Sequence, residues 1–365
     1  MKIGIIDADL IGRKKHRFPN LASMKISGYH KNKGDDVKLL LDYDNLKEYD
    51  LVYISKAFTD TPVDEKVLKY PNVKYGGTGF FYDKAEPLPY EVEHSKPDYN
   101  LYLDWVNEML EKGSKRVEFR YYLDYSIGFT TRGCFRKCGF CINRNHTKVN
   151  RHSSVKEFVD ENRKYICLLD DNILGYGKWK EVFQELKETG KGFEYKQGMD
   201  ERILTEEKIK TILNSKYKGK IIFAFDNIDD REIIEEKLNL WRKYDTKKEL
   251  KFYVLCGFDR NGKYDKEFWV RDIKETFERI ELLMKYKCYP YIMRFEKYEE
   301  SPYRGMYINL ARWCNQPNMF RKKSIREWTQ LSDEHYSPAR YLRHFEEENP
   351  DIAKKFFDIK CSDYN

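Results

Sequence analysis

Three cysteines lie close together in the segment TTRGCFRKCGFC, residues 130–141. Cys134, Cys138 and Cys141 have the spacing C-x3-C-x2-C, and a short loop of this kind lets three sulfur atoms converge on one face of a metal centre. The fourth position then comes from elsewhere or stays open for a ligand. The residues alone allow three interpretations: an iron-sulfur cluster held by thiolates, a zinc site completed by His146, or three uncommitted thiols.

The cysteines follow the first of a regular series of apolar, strand-like segments. From residue 126 these segments are SIGFTT, YICLLDD, FEYKQG, KIIFAFD, LKFYVLCGF and YPYIMRF. Segments with helical periodicity lie between them, namely SSVKEFVDENRK, KWKEVFQELKETG, TEEKIKTILNSKY, REIIEEKLNLWRKY and VRDIKETFERIELLMKYK. Such alternation predicts parallel strands with helices packed against them. We therefore expect an α/β fold with a partial (βα)6 TIM-like barrel in residues 121–300, whose functional loops follow the carboxyl ends of the strands.

The spacing of the cysteines and their position resemble a known family. Phe140 directly precedes the last cysteine, and the motif follows the first strand of the six-unit series. This arrangement resembles the cluster loop of the radical S-adenosylmethionine (SAM) superfamily, over residues 120–297. The resemblance implies a 4Fe-4S cluster on Cys134, Cys138 and Cys141, with SAM at its open iron. It also implies reductive cleavage of SAM to a 5'-deoxyadenosyl radical, and a reductant such as flavodoxin or ferredoxin.

The ends of the strands carry polar residues and glycines that are candidate cofactor contacts. Carboxylate and amide oxygens suit the methionyl ammonium of SAM, and a glycine lets the backbone approach a ligand. The candidates are Phe140 beside the last cysteine, Asp170, Asp171 and Asn172 after the second strand, Gly198, Asp200 and Arg202 after the third, Asp226 and Asn227 after the fourth, Gly257 after the fifth, and Arg294 after the sixth. No GGE triplet follows the second strand, so the assignment among its three residues stays open. Each candidate taken singly is equally compatible with a helix cap, a turn or an ion pair.

The five other cysteines show no C-x2-C pairing, so we expect no auxiliary cluster. They are Cys167, Cys256, Cys288, Cys314 and Cys361. Buried small thiols are the default for such residues. Cys314 and Cys361 are the exceptions to test, because a radical enzyme can use a late cysteine as a hydrogen donor or a transient methyl carrier.

Residues 1–83 predict a small Rossmann-like α/β domain. Strand-like segments KIGIID, VKLLL, DLVYIS and NVKYGG occur with the helical segment PNLASMKISGYHKNKG. A domain of this kind before the barrel resembles the cobalamin-binding subgroup of radical SAM enzymes, which implies a corrin or nucleotide tail near Ser55 and near the glycines Gly76, Gly77 and Gly79.

One part of that subgroup's pattern is missing. The D-x-H-x-x-G motif that supplies an axial histidine does not occur, and His16 lacks its spacing, so we expect His16 to be an exposed loop residue. We therefore favour a scaffold or substrate-docking role for the domain. Cobalamin as a further cofactor, and a cobalamin-dependent methyltransferase, are the alternative.

Two segments complete the predicted organisation. Residues 84–120 read as a connector rich in proline and charge, with a helix YLDWVNEMLEKG closed by Gly113. Residues 301–365 read as a helical tail with many basic residues. The division is therefore 1–83, 84–120, 121–300 and 301–365.

Composition limits the class of protein. Charged residues make up 35% of the chain, mean hydropathy is −0.82, and no apolar run reaches the length of a membrane helix. Without a signal peptide pattern, we expect a cytoplasmic protein with no membrane partner. The net charge of +7 comes from 68 basic and 61 acidic residues, which favours a solvated charged surface.

The competing hypothesis from another class is a zinc-stapled nucleic-acid-binding protein. It would use Cys134, Cys138, Cys141 and His146 for the metal and the basic tail for phosphate. The sequence does not name the substrate of an enzyme of this kind: a small molecule, a peptide and an RNA are all compatible with it, and the oligomeric state is not indicated.

Overall fold

Parallel strands alternate with helices through most of the structure, a computed structural model that describes residues 1–331 and 337–364. The chain divides into two units, Met1–Lys196 and Gln197–Asn365. Each is described by itself below. Within the described residues, no helix is both long enough and apolar enough to span a membrane.

The first unit begins with a four-stranded parallel sheet of order β2-β1-β3-β4. Its elements in chain order are β1 Lys2–Asp7, α1 Ala8–Gly12, α2 Leu21–Asn32, β2 Asp36–Leu40, β3 Leu51–Ser55, β4 Val73–Gly76 and α3 Thr78–Phe81. All residues of β1 except the first are buried, as expected for an apolar run in a central strand. Asn20 caps α2 by accepting from Ser23 N at 3.1 Å, and the chain reverses at Gly34, where φ is +82°. The four predicted strands form as β1 to β4, and the predicted helix forms as α2.

A buried carboxylate ends the central strand β1. Asp7 is 1% exposed. It accepts from the backbone N atoms of Asp9 at 3.1 Å and Leu10 at 3.3 Å, which caps α1, and from the Tyr102 hydroxyl at 2.8 Å. Burial raises the pKa of Asp7 from 3.8 to about 7, and the nearby Asp9 charge acts in the same direction, while these hydrogen bonds oppose the rise.

The raised pKa of Asp7 predicts a specific pH dependence of stability. Between pH 3.8 and about 7 the folded chain keeps a proton on Asp7 that the unfolded chain has released. The free energy of unfolding should therefore fall as pH rises through this range, by up to roughly 4 kcal/mol from this residue. Asp7→Asn cannot ionise, so its urea-unfolding free energy should fall less steeply over the same range. Equal slopes for the two proteins would show that Asp7 ionises normally.

The segment between the first sheet and the second belongs to the core of the first unit. Its helices are α4 Tyr90–Glu93, α5 Leu103–Glu111 and α6 Arg120–Leu123. Val106 and Phe119 are fully buried in an apolar cluster that also contains Ile3 of β1 and Ile127 of the next sheet. The helix α5 ends before Gly113, where φ is +91°, as the sequence predicted. Residues of the predicted connector therefore hold the two sheets of this unit together.

A second parallel sheet of three strands completes the first unit, in the order β5-β8-β9. The elements are β5 Tyr125–Gly128, β6 Thr131–Arg132, β7 Asn150–Arg151, α7 Val155–Phe158, β8 Tyr165–Leu168, α8 Trp179–Glu188 and β9 Gly192–Tyr195. The strands β6 and β7 form a short antiparallel pair.

The helix α7 is much shorter than the segment SSVKEFVDENRK suggested. Ser154 and Glu157 form a capping box at its start, but Val159 is already extended, with ψ of 131°. The following residue, Asp160, donates its backbone N–H to Ser126 Oγ at 2.9 Å. A tertiary hydrogen bond therefore competes with the continuation of the helix, and the prediction of a longer helix is wrong.

The second unit contains a three-stranded parallel sheet of order β10-β11-β12. Its elements are α9 Glu206–Leu213, β10 Ile221–Ala224, α10 Arg231–Arg242, β11 Leu250–Cys256, α11 Lys266–Lys285 and β12 Tyr289–Arg294, followed by α12 Arg304–Cys314, α13 Pro317–Lys322, α14 Ile325–Thr329, α15 Ser337–Glu348 and α16 Pro350–Phe356. Alternate residues of β11 are buried. The mixed α/β class with parallel sheets is thus confirmed. The partial barrel, the Rossmann-like class of the first sheet and the four-segment division stay predictions.

Candidate functional site

The three cysteines lie on a loop that starts and ends at the two-stranded ribbon β6-β7. Thr131 pairs with Arg151 and Arg132 with Asn150, so the ribbon closes the base of the loop. Gly133 follows with φ of +93°, and a Cβ there would approach Lys148 O to 2.6 Å. Only glycine fits this turn without displacing the backbone.

Backbone N–H groups point at the sulfur atoms of Cys134 and Cys141. Arg136 N lies 3.3 Å from Cys134 Sγ, and Asn143 N lies 3.4 Å from Cys141 Sγ. Cys141 N also donates to Cys138 O at 3.0 Å, which turns the chain between those two cysteines. All three cysteines are half-buried. N–H donors near sulfur stabilise a thiolate charge and tune clusters that thiolates hold.

One carboxylate holds both ends of the cysteine loop. Asp171 Oδ2 accepts from Gly133 N at 2.7 Å, and Asp171 Oδ1 accepts from Asn143 Nδ2 at 2.8 Å. Gly133 directly precedes the first cysteine, and Asn143 comes two residues after the last. Asp171 follows β8, so the second strand of the sheet fixes the loop that follows the first strand.

The neighbouring carboxylate of Asp170 supports the start of the same loop. It is 3% exposed, and it accepts from the backbone N atoms of Thr130 (3.1 Å) and Thr131 (2.6 Å) and from their hydroxyls (2.5 and 2.7 Å). Burial raises the pKa of Asp170, although these four bonds lower it. Both of its oxygens are thus engaged within the protein.

The third residue of this triplet, Asn172, has one engaged and one unpartnered polar atom. Its Nδ2 lies 3.4 Å from Cys134 Sγ, while its Oδ1 is buried without a hydrogen-bond partner among the described residues. Buried polar atoms are almost always paired, so an unpaired acceptor beside a predicted cluster ligand suits a bound donor group. Phe135 packs close to Gly175, where a Cβ would lie 2.6 Å from the ring.

The second half of the cysteine loop contacts Tyr82 and Asp83, which follow the first sheet. The Tyr82 hydroxyl donates to Phe140 O at 2.6 Å, and Arg144 pairs with Asp83 at 2.7 Å. Asn145 Nδ2 donates to the same carboxylate at 3.3 Å. The residues after α3 therefore support the loop through contacts separate from those of Asp171.

The zinc interpretation requires a fourth ligand beside the three sulfurs. His146 is exposed, and its ring packs against Gly133, where an added Cβ would lie 3.3 Å from His146 Nδ1. Within residues 1–331 and 337–364, no three or more His, Cys, Asp or Glu side chains are placed as a group that could hold a metal ion. Both the presence of a metal centre at the three cysteines and its kind therefore stay predictions.

The glycines after the first sheet pack closely against another part of the backbone. A Cβ on Gly77 or on Gly79 would approach Lys56 O to 2.4 or 2.9 Å, whereas Gly76 has open space around it. Close backbone packing thus accounts for two of the three glycines without a ligand. His16 is half-buried, with its ring 5.8 Å from that of Phe58, so the expectation of an exposed histidine is wrong. Burial lowers its pKa.

In the second unit, the predicted candidates that follow β9 and β10 form polar contacts with other side chains and with the backbone. Arg202 Nε donates to Asp200 Oδ1 at 2.7 Å, and its Nη1 donates to Asp230 Oδ2 at 2.8 Å. Asp226 accepts from Leu255 N at 3.0 Å, and burial raises its pKa from 3.8 to about 6. These bonds order the carboxyl ends of β10 and β11.

The remaining candidates of this unit have contacts of other kinds. Asn227 Nδ2 donates to Asp229 at 2.8 Å. Gly257, with φ of +79°, donates its N–H to the buried Asp272 at 2.8 Å. The Arg294 guanidinium lies 4.4 Å from the centre of the Tyr298 ring. A Cβ on Gly198 would lie 3.1 Å from Phe223 O, so the backbone itself approaches closely at that position.

Several residues that support the cysteine loop were not found by reasoning from the sequence. They are Tyr82, Asp83, Thr130, Thr131 and Asn143. Thr130 and Thr131 begin the segment that contains the cysteines, and Asn143 follows it, but their partners lie between 28 and 40 residues away. Residue type and proximity to the motif were the signals present in the sequence.

No protein-family model matches the chain, and no curated protein matches it. Among solved structures, it overlaps with the cobalamin-dependent S-adenosylmethionine radical enzyme OxsB with aqua-cobalamin bound (TM-score 0.37, 12% identity). It also superposes on the same enzyme with aqua-cobalamin and S-adenosylmethionine bound (TM-score 0.36, 10% identity). A third match is the apo form of that enzyme (TM-score 0.39, 13% identity).

The extent of these overlaps differs between the two proteins. They cover 97%, 97% and 100% of this chain but only 56%, 56% and 57% of OxsB, so the chain spans little more than half of that enzyme's length. With TM-scores below 0.5, the overlaps do not by themselves assign a fold family or an activity. The structural neighbours are enzymes of the radical SAM class.

Proposed function

We propose that this chain is a radical SAM enzyme that holds a 4Fe-4S cluster through Cys134, Cys138 and Cys141 and modifies a substrate still to be identified. The observation that carries the proposal is the C-x3-C-x2-C loop, placed directly after the first strand of a parallel sheet and held at both ends by Asp171. When bound together with SAM, such a cluster supplies the electron that cleaves SAM to methionine and a 5'-deoxyadenosyl radical.

The donor set fits a cluster held by thiolates. The loop supplies three half-buried sulfurs, and N–H groups face Cys134 and Cys141, as suits sulfur that carries negative charge. Three protein ligands leave one iron of a 4Fe-4S cluster for SAM. The role of the chain is to keep this loop in place and to exclude water from the radical.

Among the three residues after β8, we assign Asn172 as the contact to the SAM ammonium group. Asp170 and Asp171 use their oxygens to hold Thr130, Thr131, Gly133 and Asn143. Asn172 Oδ1 is buried and unpartnered, and an amide oxygen accepts from an ammonium donor. The side chain is also beside Cys134, one of the three proposed cluster ligands.

Asn172→Ala should weaken SAM binding by about tenfold, the effect of one hydrogen bond to a charged group. The iron content of the reconstituted protein should change little, because Asp171 still holds both ends of the loop. Equilibrium dialysis with radiolabelled SAM measures the first quantity and iron analysis the second. Unchanged SAM affinity in a fully loaded variant would refute the assignment of Asn172.

For the first sheet, we favour a scaffold role. Tyr82 and Asp83, which follow α3, contact the cysteine loop, and close packing against Lys56 accounts for Gly77 and Gly79. Cobalamin, which OxsB binds, and a cobalamin-dependent methyl transfer are the alternative for this domain. A ferredoxin or flavodoxin is the proposed reductant.

Metal analysis tests the proposal against the zinc-stapled nucleic-acid-binding alternative. The chain is purified anaerobically and reconstituted with iron and sulfide, and then iron, sulfide and zinc are measured per chain. The proposal predicts a brown protein with about four iron and four sulfide. A colourless protein that retains one zinc and takes up no iron would contradict it.

A further inference from the structure

A cavity of about 360 Å³ lies in the second unit, at the amino-terminal ends of two parallel strands. Its walls include residues 246–249, directly before β11, and residues 287–289 at the start of β12. Arg242, Phe320 and Cys361 also line it. The candidate SAM contacts of this unit instead follow the carboxyl ends of β9, β10, β11 and β12. The cavity is therefore separate from the proposed cofactor contacts, and its volume is typical of pockets for small molecules.

Positive charge dominates the lining of this cavity. Five of the lining residues are basic, namely Arg242, Lys247, Lys248, Lys287 and Arg321. Among the described residues that line it, only Glu249 carries a carboxylate, which already pairs with Lys220 at 3.2 Å and with Arg321. Like charges brought together around a concave space repel one another unless an anion neutralises them.

Three lysines of the lining differ in their surroundings: Lys247 and Lys287 are exposed, and Lys248 Nζ lies 5.9 Å from the centre of the Tyr217 ring. In the part of the chain that the structure describes, no ion pair involves Lys247, Lys248 or Lys287. Nearby, burial lowers the pKa of Lys220, and the charge of Arg321 acts in the same direction. A ligand with several negative oxygens would replace water as the acceptor for these ammonium groups.

Arg242 makes hydrogen bonds to both loops that form the wall of the cavity. Its guanidinium donates to Tyr286 O at 2.7 Å, and to the carbonyls of Asp245 and Lys248 at 3.3 Å each. The carboxylate of Asp245 is 4.0 Å away. One guanidinium therefore joins the two loops that precede β11 and β12.

One lining lysine occupies a backbone position that favours glycine. Lys287 has φ of +53° and follows the end of α11, where its N–H donates to Met284 O at 2.9 Å. Glycine is the common residue at this position of a helix end. A lysine there brings a positive charge to the cavity in a conformation that lysine rarely adopts.

The two thiols of the cavity do not suit a nucleophile. Burial raises the pKa of Cys288 to about 12 and that of Cys361 to about 11, although Arg242 and Arg321 respectively oppose the rise. Both thiols therefore stay protonated near neutral pH and serve as packing groups. The lining is suited to binding an anion rather than to covalent chemistry.

We infer that this cavity binds a small phosphate-bearing anion, through the side chains of Lys247, Lys248, Lys287 and Arg321. Phosphate oxygens accept several charge-assisted hydrogen bonds at once, which matches a site with many cationic donors and almost no acceptor. The Thr246 and Ser362 hydroxyls, also in the lining, supply neutral donors. The inferred site does not depend on the cysteine loop or on SAM.

The test measures phosphate binding to the full chain by calorimetry at constant ionic strength. The probes are inorganic pyrophosphate and adenosine monophosphate, which distinguish a free polyphosphate from a phosphate ester. The variant is Lys247→Gln combined with Lys287→Gly, which removes two charges and also relieves the left-handed backbone at residue 287. The matched control, Lys354→Gln with Lys355→Gln, removes the same charge from α16, outside the cavity lining.

We expect saturable binding of at least one probe at millimolar concentration or below. The cavity variant should lose about tenfold or more in affinity, while the control variant should bind like the unchanged protein. Saturable binding that is equal in all three proteins would overturn the inference, as would the absence of saturable binding of both probes. Binding of a single-stranded RNA oligonucleotide alone would also overturn it and would identify a nucleic-acid surface.

Discussion

Alanine in place of Cys134, Cys138 or Cys141 is expected to abolish assembly of a stable cluster. Each of the three sulfurs would bind one iron, and the loop between β6 and β7 offers no spare thiol: the other five cysteines lie at residue 167 or beyond. Reconstituted variants should lose most of the roughly four iron per chain of the parent protein. Iron and sulfide analysis, together with the visible absorption of the cluster, measures the loss.

The control for these variants is Cys361→Ala. Cys361 is half-buried like the loop cysteines, but burial raises its thiol pKa to about 11, and it lies in the second unit. Cys361→Ala should keep its full iron content. A variant of any one loop cysteine that also kept full iron and sulfide would refute the assignment of the three ligands.

Asp171→Ala is expected to lose most of its cluster while the fold persists. The substitution removes the acceptors for Gly133 N and Asn143 Nδ2, and each hydrogen bond to a charged group contributes about 1.5–3 kcal/mol. Without them, the chain on either side of the three cysteines loses the carboxylate that fixes it, so the three sulfurs should be held less firmly for cluster assembly, although the ribbon β6-β7 still closes the base of the loop. Iron content should fall well below that of the parent, whereas the far-ultraviolet circular dichroism should be unchanged, because β5, β8 and β9 do not depend on this side chain.

Asp160→Ala is the matched control for the Asp171 variant. Asp160 is also half-buried, and its carboxylate accepts from Asn162 N at 2.9 Å, in a turn outside the cysteine loop. This variant should assemble a full cluster. If the Asp171 and Asp160 variants retained the same amount of iron, Asp171 would not be what holds the loop.

Short apolar runs separated by clear turn residues made the strands predictable from the sequence. KIGIID became the central strand β1, and LKFYVLCGF became β11, both with parallel neighbours. The helix α7 was predicted too long, because nothing local indicates that Asp160 N bonds to Ser126 Oγ, 34 residues away. Local periodicity reports on propensity, whereas the end of an element can depend on a distant partner.

The same limit applies to the candidate site. Residue spacing was enough to select Cys134, Cys138 and Cys141 as candidate ligands. The sequence also showed that Asp170 and Asp171 follow the second strand of the series. It did not show their bonds to Thr130, Thr131 and Gly133, because the fold brings these distant residues together. Likewise, the contact between Asp83 and Arg144 joins residues 61 apart, and the cationic cavity gathers residues from separate segments of the chain.

The most direct test of the central proposal is the reductive cleavage of SAM. Protein reconstituted anaerobically with iron and sulfide is given SAM and dithionite, and 5'-deoxyadenosine is quantified by liquid chromatography and mass spectrometry. The radical SAM assignment predicts that 5'-deoxyadenosine forms with the parent chain and not with Cys138→Ala. A parent chain that carries a full 4Fe-4S cluster and yet forms no more 5'-deoxyadenosine than Cys138→Ala would contradict it.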